Sequence, residues 1–219
     1  MRKILTWSTV ARVGLIGMVV GGVISALSNG MFAFLLWRAN FFMTNSELDF
    51  LERFEVFVGL QWLLLGAANI TVIIGLIGLM IAVNRYLAET SEQASGGEGQ
   101  KRGDTAWIVV GWIIPLVGVF VLPERLARQI HRLNLPNSDA LRKFGNTFVV
   151  GLLVAGVLLR FTDTLSRNAL ELSDFVLVFG LEAVPSLGYA IISLLMLKVV
   201  GAFRHSGTHS GPALGQTPY

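Results

Sequence analysis

Cysteine is absent from the 219 residues. The chain therefore forms no disulfide, holds no cysteine-ligated zinc or iron–sulfur cluster, and does no thiol catalysis. Charge is scarce as well. Only 14% of residues are Asp, Glu, Lys or Arg, against about 25% in an ordinary soluble domain. The shortfall is uneven: charges are missing from long apolar blocks and gathered between them, the pattern of lipid-facing helices. Histidine is rare, and His131, His205 and His209 all lie outside the apolar blocks. That argues against a haem bundle, which needs embedded histidine ligands. His205 and His209 have one-turn spacing, but in a glycine-containing tail where a metal site is not the expected reading. No phosphate-binding glycine loop, His-Glu-x-x-His or nucleophile elbow occurs, and no repeat recurs at a fixed period. The expectation is a protein that is not an enzyme and carries no cofactor and no metal.

What is present is hydrophobicity. Apolar residues make up 53% of the chain, and a crossing helix needs about 20 of them in a row. The predicted fold class is an all-α integral membrane protein: four transmembrane helices, a short Pro-broken re-entrant or interfacial segment, and amphipathic surface helices. The spans are placed at about 12–37, 57–83, 143–161 and 175–200, with the re-entrant segment at 107–123. Residues 1–203 form one polytopic domain and 204–219 a polar tail, expected to be disordered unless a partner holds it. Arg2 and Lys3 before an apolar run, with Ala26-Leu27-Ser28 further on, also resemble a signal peptide. The apolar character resumes at Met31–Trp37, which favours a span. Gly17 and Gly21 are a small-xxx-small pair, suited to close helix approach.

Between the spans, Thr44-Asn45-Ser46-Glu47 resembles a helix start, and Phe50, Phe54 and Val58 recur every four residues. A short amphipathic surface helix is expected over 41–56. Residues 87–104, with four glycines in Gly96-Gly97-Glu98-Gly99 and Gly103, are expected to be a solvated linker. Trp107–Leu122 is apolar but interrupted by Pro115 and closed by Pro123. In the helix expected over 124–135, Leu126, Ile130 and Leu133 share one face. Arg125, Arg128 and Arg132 share the other, a candidate contact for anionic lipid.

The basic residues decide between two topologies. With the amino terminus cytoplasmic and Trp107–Leu122 crossing, 8 lysines and arginines fall inside and 9 outside. If that segment enters and returns, 13 fall inside and 4 outside. The second obeys the positive-inside rule. The net charge of +3 is thereby explained by loops at an anionic membrane face. No basic run is dense enough to bind nucleic acid, so none is expected as a partner. Both termini are then cytoplasmic. The re-entrant backbone is expected to be packed against other helices, away from lipid.

Asn84, Arg85 and Tyr86 end one helix. A polar loop follows, then Trp107, Trp112, Pro115 and Pro123, then the basic helix Arg125–Arg132. This order resembles a bacterial membrane family known as domain of unknown function 4328, over residues 82–133. The resemblance implies a polytopic protein of the bacterial cytoplasmic (inner) membrane and no particular activity.

Glu182 is the only acidic residue inside a span. A charge in hydrocarbon costs several kcal/mol, so such residues face the bundle interior, paired or protonated. Asn29 and Gln61 come to similar depth, and Arg160 sits near the outer end of the third span. These four are the candidate buried polar cluster. One reading is a proton- or cation-handling site in the outer half of the bundle. The other is a structural hydrogen bond, or an ion pair between Glu182 and Arg160. A helix broken at Pro115 could line a transport site, though it serves equally as the turn of a hairpin. The first functional expectation is a non-catalytic accessory or scaffolding subunit packing against membrane lipids and other membrane subunits, or against copies of itself. The alternative is a small transporter or channel built around Glu182.

Overall fold

The computed structural model describes residues Arg2–Ala39, Asn45–Ser95, Gly103–Asn168 and Leu172–His209. They form six helices: α1 (Arg2–Ala39), α2 (Asn45–Ser95), α3 (Gly103–Ile113), α4 (Pro115–Arg132), α5 (Ser138–Asn168) and α6 (Leu172–His209). Among the described residues there is no strand. Four helices are long and apolar enough to cross a membrane, at Arg2–Arg38, Gly59–Thr90, Ser138–Asn168 and Ser173–His205. The protein is an all-α integral membrane protein with four transmembrane helices and a proline-broken hairpin, α3–α4.

The helices run longer than the apolar blocks that seed them. α2 has 51 residues, about 75 Å at 1.5 Å per residue, while the hydrocarbon core is about 30 Å. Residues 45–56 are its opening turns, not a separate surface helix; residues 41–44 lie outside the described ones. The linker expected from Leu87 begins later, because Leu87–Ser95 is still helical. Its Ala, Glu and Gln residues are good helix formers, and the Thr90 hydroxyl reaches back to the Tyr86 and Leu87 carbonyls. α6 likewise extends to His209, past Phe203, which is fully buried. Residues 210–219 lie outside the described ones.

Neither interior proline ends its helix. Pro123 was expected to close the apolar segment, but α4 runs through it from Pro115 to Arg132. The basic helix expected over 124–135 is thus the second half of α4. Pro185 lies inside α6. Its missing N–H leaves the Leu181 carbonyl without a helical donor, while beside it the Ser186 hydroxyl adds a bond to the Glu182 carbonyl at 2.9 Å.

The described residues of Met1–Val13, Thr71–Val149 and Leu195–Tyr219 form one compact unit; those of Gly14–Ile70 and Val150–Leu194 form a second. In the first unit, α1 and α2 touch through glycine. A Cβ on Gly75 would lie 2.5 Å from the Ala11 nitrogen, so only hydrogen fits. Ile108, Leu122, Leu126, Ile130, Phe148, Val199 and Phe203 fill its core. The Gln129 side chain crosses to donate to the Met80 carbonyl of α2 at 2.8 Å.

The hairpin turns on a single residue. Ile114 is extended (φ −107°, ψ 99°), and Pro115 opens α4, where its missing N–H and fixed φ fit the first helical position. Ile114 N–H still bonds the Val110 carbonyl, and Gly118 N–H bonds the Ile114 carbonyl. Gly111 packs on Gly118 and Leu122, too closely for any larger side chain at 118. The segment was expected to be shielded from lipid. Instead the tip leaves Ile113, Ile114, Leu116 and Phe120 exposed. Their side chains are apolar, so facing hydrocarbon costs them nothing.

α4 ends in a Schellman motif. Asn134 is left-handed (φ 48°), Leu135 N–H bonds the Ile130 carbonyl, and Asn134 N–H bonds the His131 carbonyl. Leu135 and Ile130 are both buried, the apolar contact that accompanies this cap. Asn134→Gly should hold or slightly raise stability in detergent. Asn134→Val should lower it by about 1–2 kcal/mol, the cost of a left-handed β-branched residue. Thermal unfolding followed by circular dichroism separates the two. Gly75→Leu should abolish the α1–α2 contact and the yield of monodisperse protein.

Candidate functional site

Several polar residues of the second unit lie along one antiparallel pair, α1 and α6. Phe32 meets Phe179 edge-on, with ring centroids 4.4 Å apart. Two turns away, the Ser25 and Ser186 hydroxyls are 3.1 Å apart. One turn further, a Cβ on Gly22 would sit 2.6 Å from the Ser186 carbonyl oxygen. Gly22, Ser25, Asn29 and Phe32 follow at helical spacings of three and four, and so do Phe179, Glu182 and Ser186. Residues so spaced share a face. Asn29 and Glu182 each fall midway between the two contacts, counted along their own helices. The register therefore sets them level, on facing stripes.

Asn29 is 1% exposed, and neither its Nδ2 nor its Oδ1 has a hydrogen-bond partner among the described residues. A buried amide left so costs about 1–3 kcal/mol per unmet group. Its neighbour Ser28 faces the other way, accepting from Gln61 Nε2 of α2 at 2.9 Å. Gln61 is therefore satisfied by a serine, a partner that no sequence spacing announces.

Glu182 is half-buried. The Thr162 hydroxyl of α5 lies in hydrogen-bond reach of its carboxyl, and Asp163 in electrostatic reach. Thr162 also donates to the Leu159 carbonyl at 3.0 Å. A hydroxyl has one hydrogen, so these two acceptors compete for it. Asp163 is bound to Arg167 on its own helix at 3.1 Å, an exposed pair of little worth to stability. Arg160 is exposed, and among the described residues no ion pair joins it to Glu182. Of the four expected cluster members, Asn29 and Glu182 are level, Gln61 binds the residue next to Asn29, and Arg160 points to the surface. Ser25, Ser28, Thr162 and Ser186 went unnoticed in the sequence, because small hydroxyl residues are common in spans and carry no signal alone.

In the first unit, Arg125, Arg128 and Arg132 line a narrow gap with Asn84, Leu87, Ile108 and Gln129. Arg128 pairs with Glu124 one turn before it. Arg125 is half-buried and Arg132 exposed, opposite the buried Leu126 and Ile130. A wider cleft of about 860 Å3 opens between the α4–α5 turn and the end of α6, lined among others by Asn134, Asn137, Phe144 and Lys198. The Lys198 ammonium stands 5.4 Å from the Phe144 ring centre, a cation–π contact. Trp112 packs on Phe148 with centroids 6.5 Å apart, and Trp107 is half-exposed. No cluster of metal-ligating side chains occurs among the described residues.

Gln61→Leu should cost about 0.6 kcal/mol or somewhat more, the usual scale for one interhelical hydrogen bond in a membrane. Ser28→Ala should cost similarly, and the double variant less than the sum. Thermal stability of the four proteins in one detergent gives the coupling. Compared with known proteins, this chain matches no family model, no curated protein and no solved structure.

Proposed function

We propose that the protein is a non-catalytic membrane subunit that packs through the outward face of α2 against another transmembrane helix. The observation that carries this is a small-large stripe, Gly59, Leu63, Gly66 and Ile70. Both glycines have open space where a Cβ would be, and Leu63 is 72% exposed. By contrast, Gly17, Gly21 and Gly22 are each filled by a neighbouring helix. A glycine facing lipid weakens a helix by about 1 kcal/mol relative to alanine and gains nothing there. Facing another helix, it lets the backbones approach and gain van der Waals contact. The partner is a second copy or a different membrane protein. The resemblance of residues 82–133 to the bacterial family and the distribution of lysine and arginine support an inner membrane with both termini cytoplasmic. Arg125, Arg128 and Arg132 would then meet anionic headgroups.

Because the chain lacks cysteine, both parts are testable without background. Leu63→Cys should cross-link in native membranes to give one discrete heavier species. That species should vanish when Gly66→Leu is added. A chain that stays uncross-linked and runs as a lone monomer in mild detergent rules out the packing role. In intact cells, Asn137→Cys should label only from the cytoplasm and Ser173→Cys only from outside; the reverse pattern inverts the orientation.

A further inference from the structure

We infer that Asn29 and Glu182 hold a single monovalent, sodium-sized cation in the second unit. Three observations converge on it. The first is the level register of the two residues, fixed on one side by Phe32 on Phe179 and on the other by Ser25 on Ser186. The second is the buried Asn29 amide, without a partner at either atom among the described residues and carried on the stripe that faces α6. The third is charge. Glu182 is a carboxylate in a membrane helix, and no basic side chain among the described residues pairs with it. Asp163 adds negative charge nearby rather than removing it, and its own partner is Arg167. A carboxylate without a counterion is expensive in a membrane helix, and a bound cation supplies the missing countercharge.

The donors are oxygens. With Asn29 and Glu182 level on facing stripes, a cation between them would take the Glu182 carboxylate and Asn29 Oδ1, leaving Asn29 Nδ2 to donate. Pro185 has no N–H, so the Leu181 carbonyl loses its helical donor at the same level. The Ser25 and Ser186 hydroxyls close one end. Carboxylate, amide, carbonyl and hydroxyl oxygens are hard donors suited to alkali and alkaline-earth ions. A single carboxylate at the centre matches one positive charge. Calcium sites gather more carboxylates. The site stands independently of the packing face on α2, since neither shares a residue with the other.

The test is equilibrium binding of radioactive sodium to the purified full chain in nanodiscs, with choline as the balancing cation. The expected result is saturable binding of about one ion per chain, weakened at least tenfold by Glu182→Gln and by Asn29→Ala. Leu63→Ala, outside the site, should bind as the parent does. If Glu182→Gln fails to give monodisperse protein, Asn29→Ala decides alone. Absence of saturable sodium binding overturns the inference and leaves a site for water or a proton. Binding that neither variant weakens overturns it too.

Discussion

Every structural choice in this chain follows from one constraint: inside hydrocarbon, each backbone N–H and C=O needs a partner from the protein itself. The helices are long because continuing a helix satisfies these groups at no further cost. The same rule shapes the hairpin. Its reversal uses one extended residue, Ile114, and then a proline that has no N–H to satisfy. The tip presents Ile113, Leu116 and Phe120 outward, apolar side chains that hydrocarbon accepts. Pro185 tests the rule from the other side. The Leu181 carbonyl loses its helical donor there, yet α6 continues through the proline to His209.

Once the backbone is satisfied, packing has little hydrophobic drive left, because lipid tails are as apolar as leucine. Close approach takes over. Gly75 on Ala11, Gly22 on Ser186 and Gly118 on Gly111 are contacts where a methyl group has no room. They also fix register: a glycine under a specific backbone atom allows one alignment of two helices and clashes in the next. Gly59 and Gly66 have the same chemistry with nothing opposite, which is why the outward face of α2 reads as unfinished.

Polar side chains are then placed by that register. Ser25 with Ser186 and Ser28 with Gln61 close two small hydrogen-bond pairs. Asn29, between them, closes none. Glu182 stands at its level with a shared hydroxyl from Thr162 and no counterion among the described residues. A helix pair that sets a buried, idle amide level with a half-buried carboxylate has more polar capacity than its own packing uses.

The sequence by itself determined the class, the four crossings and the hairpin. Each is written in local terms: runs of apolar residues, and Pro115 in a run too short to cross. It misjudged element ends. Residues 45–56 and 87–95 look like surface and linker by polarity, yet remain helical, because helix propagation costs little once a long span has nucleated it. The stop expected at Pro123 was overstated too, since α4 runs through it. Glu182 was legible as an oddity, since one acid in a span stands out. Its surroundings were not. Only the tertiary structure set Asn29 level with it, gave Gln61 to Ser28 and turned Arg160 to the surface. Those facts depend on how helices far apart in sequence align. That alignment is fixed by side-chain volumes at contact points such as Gly22, which no local pattern encodes.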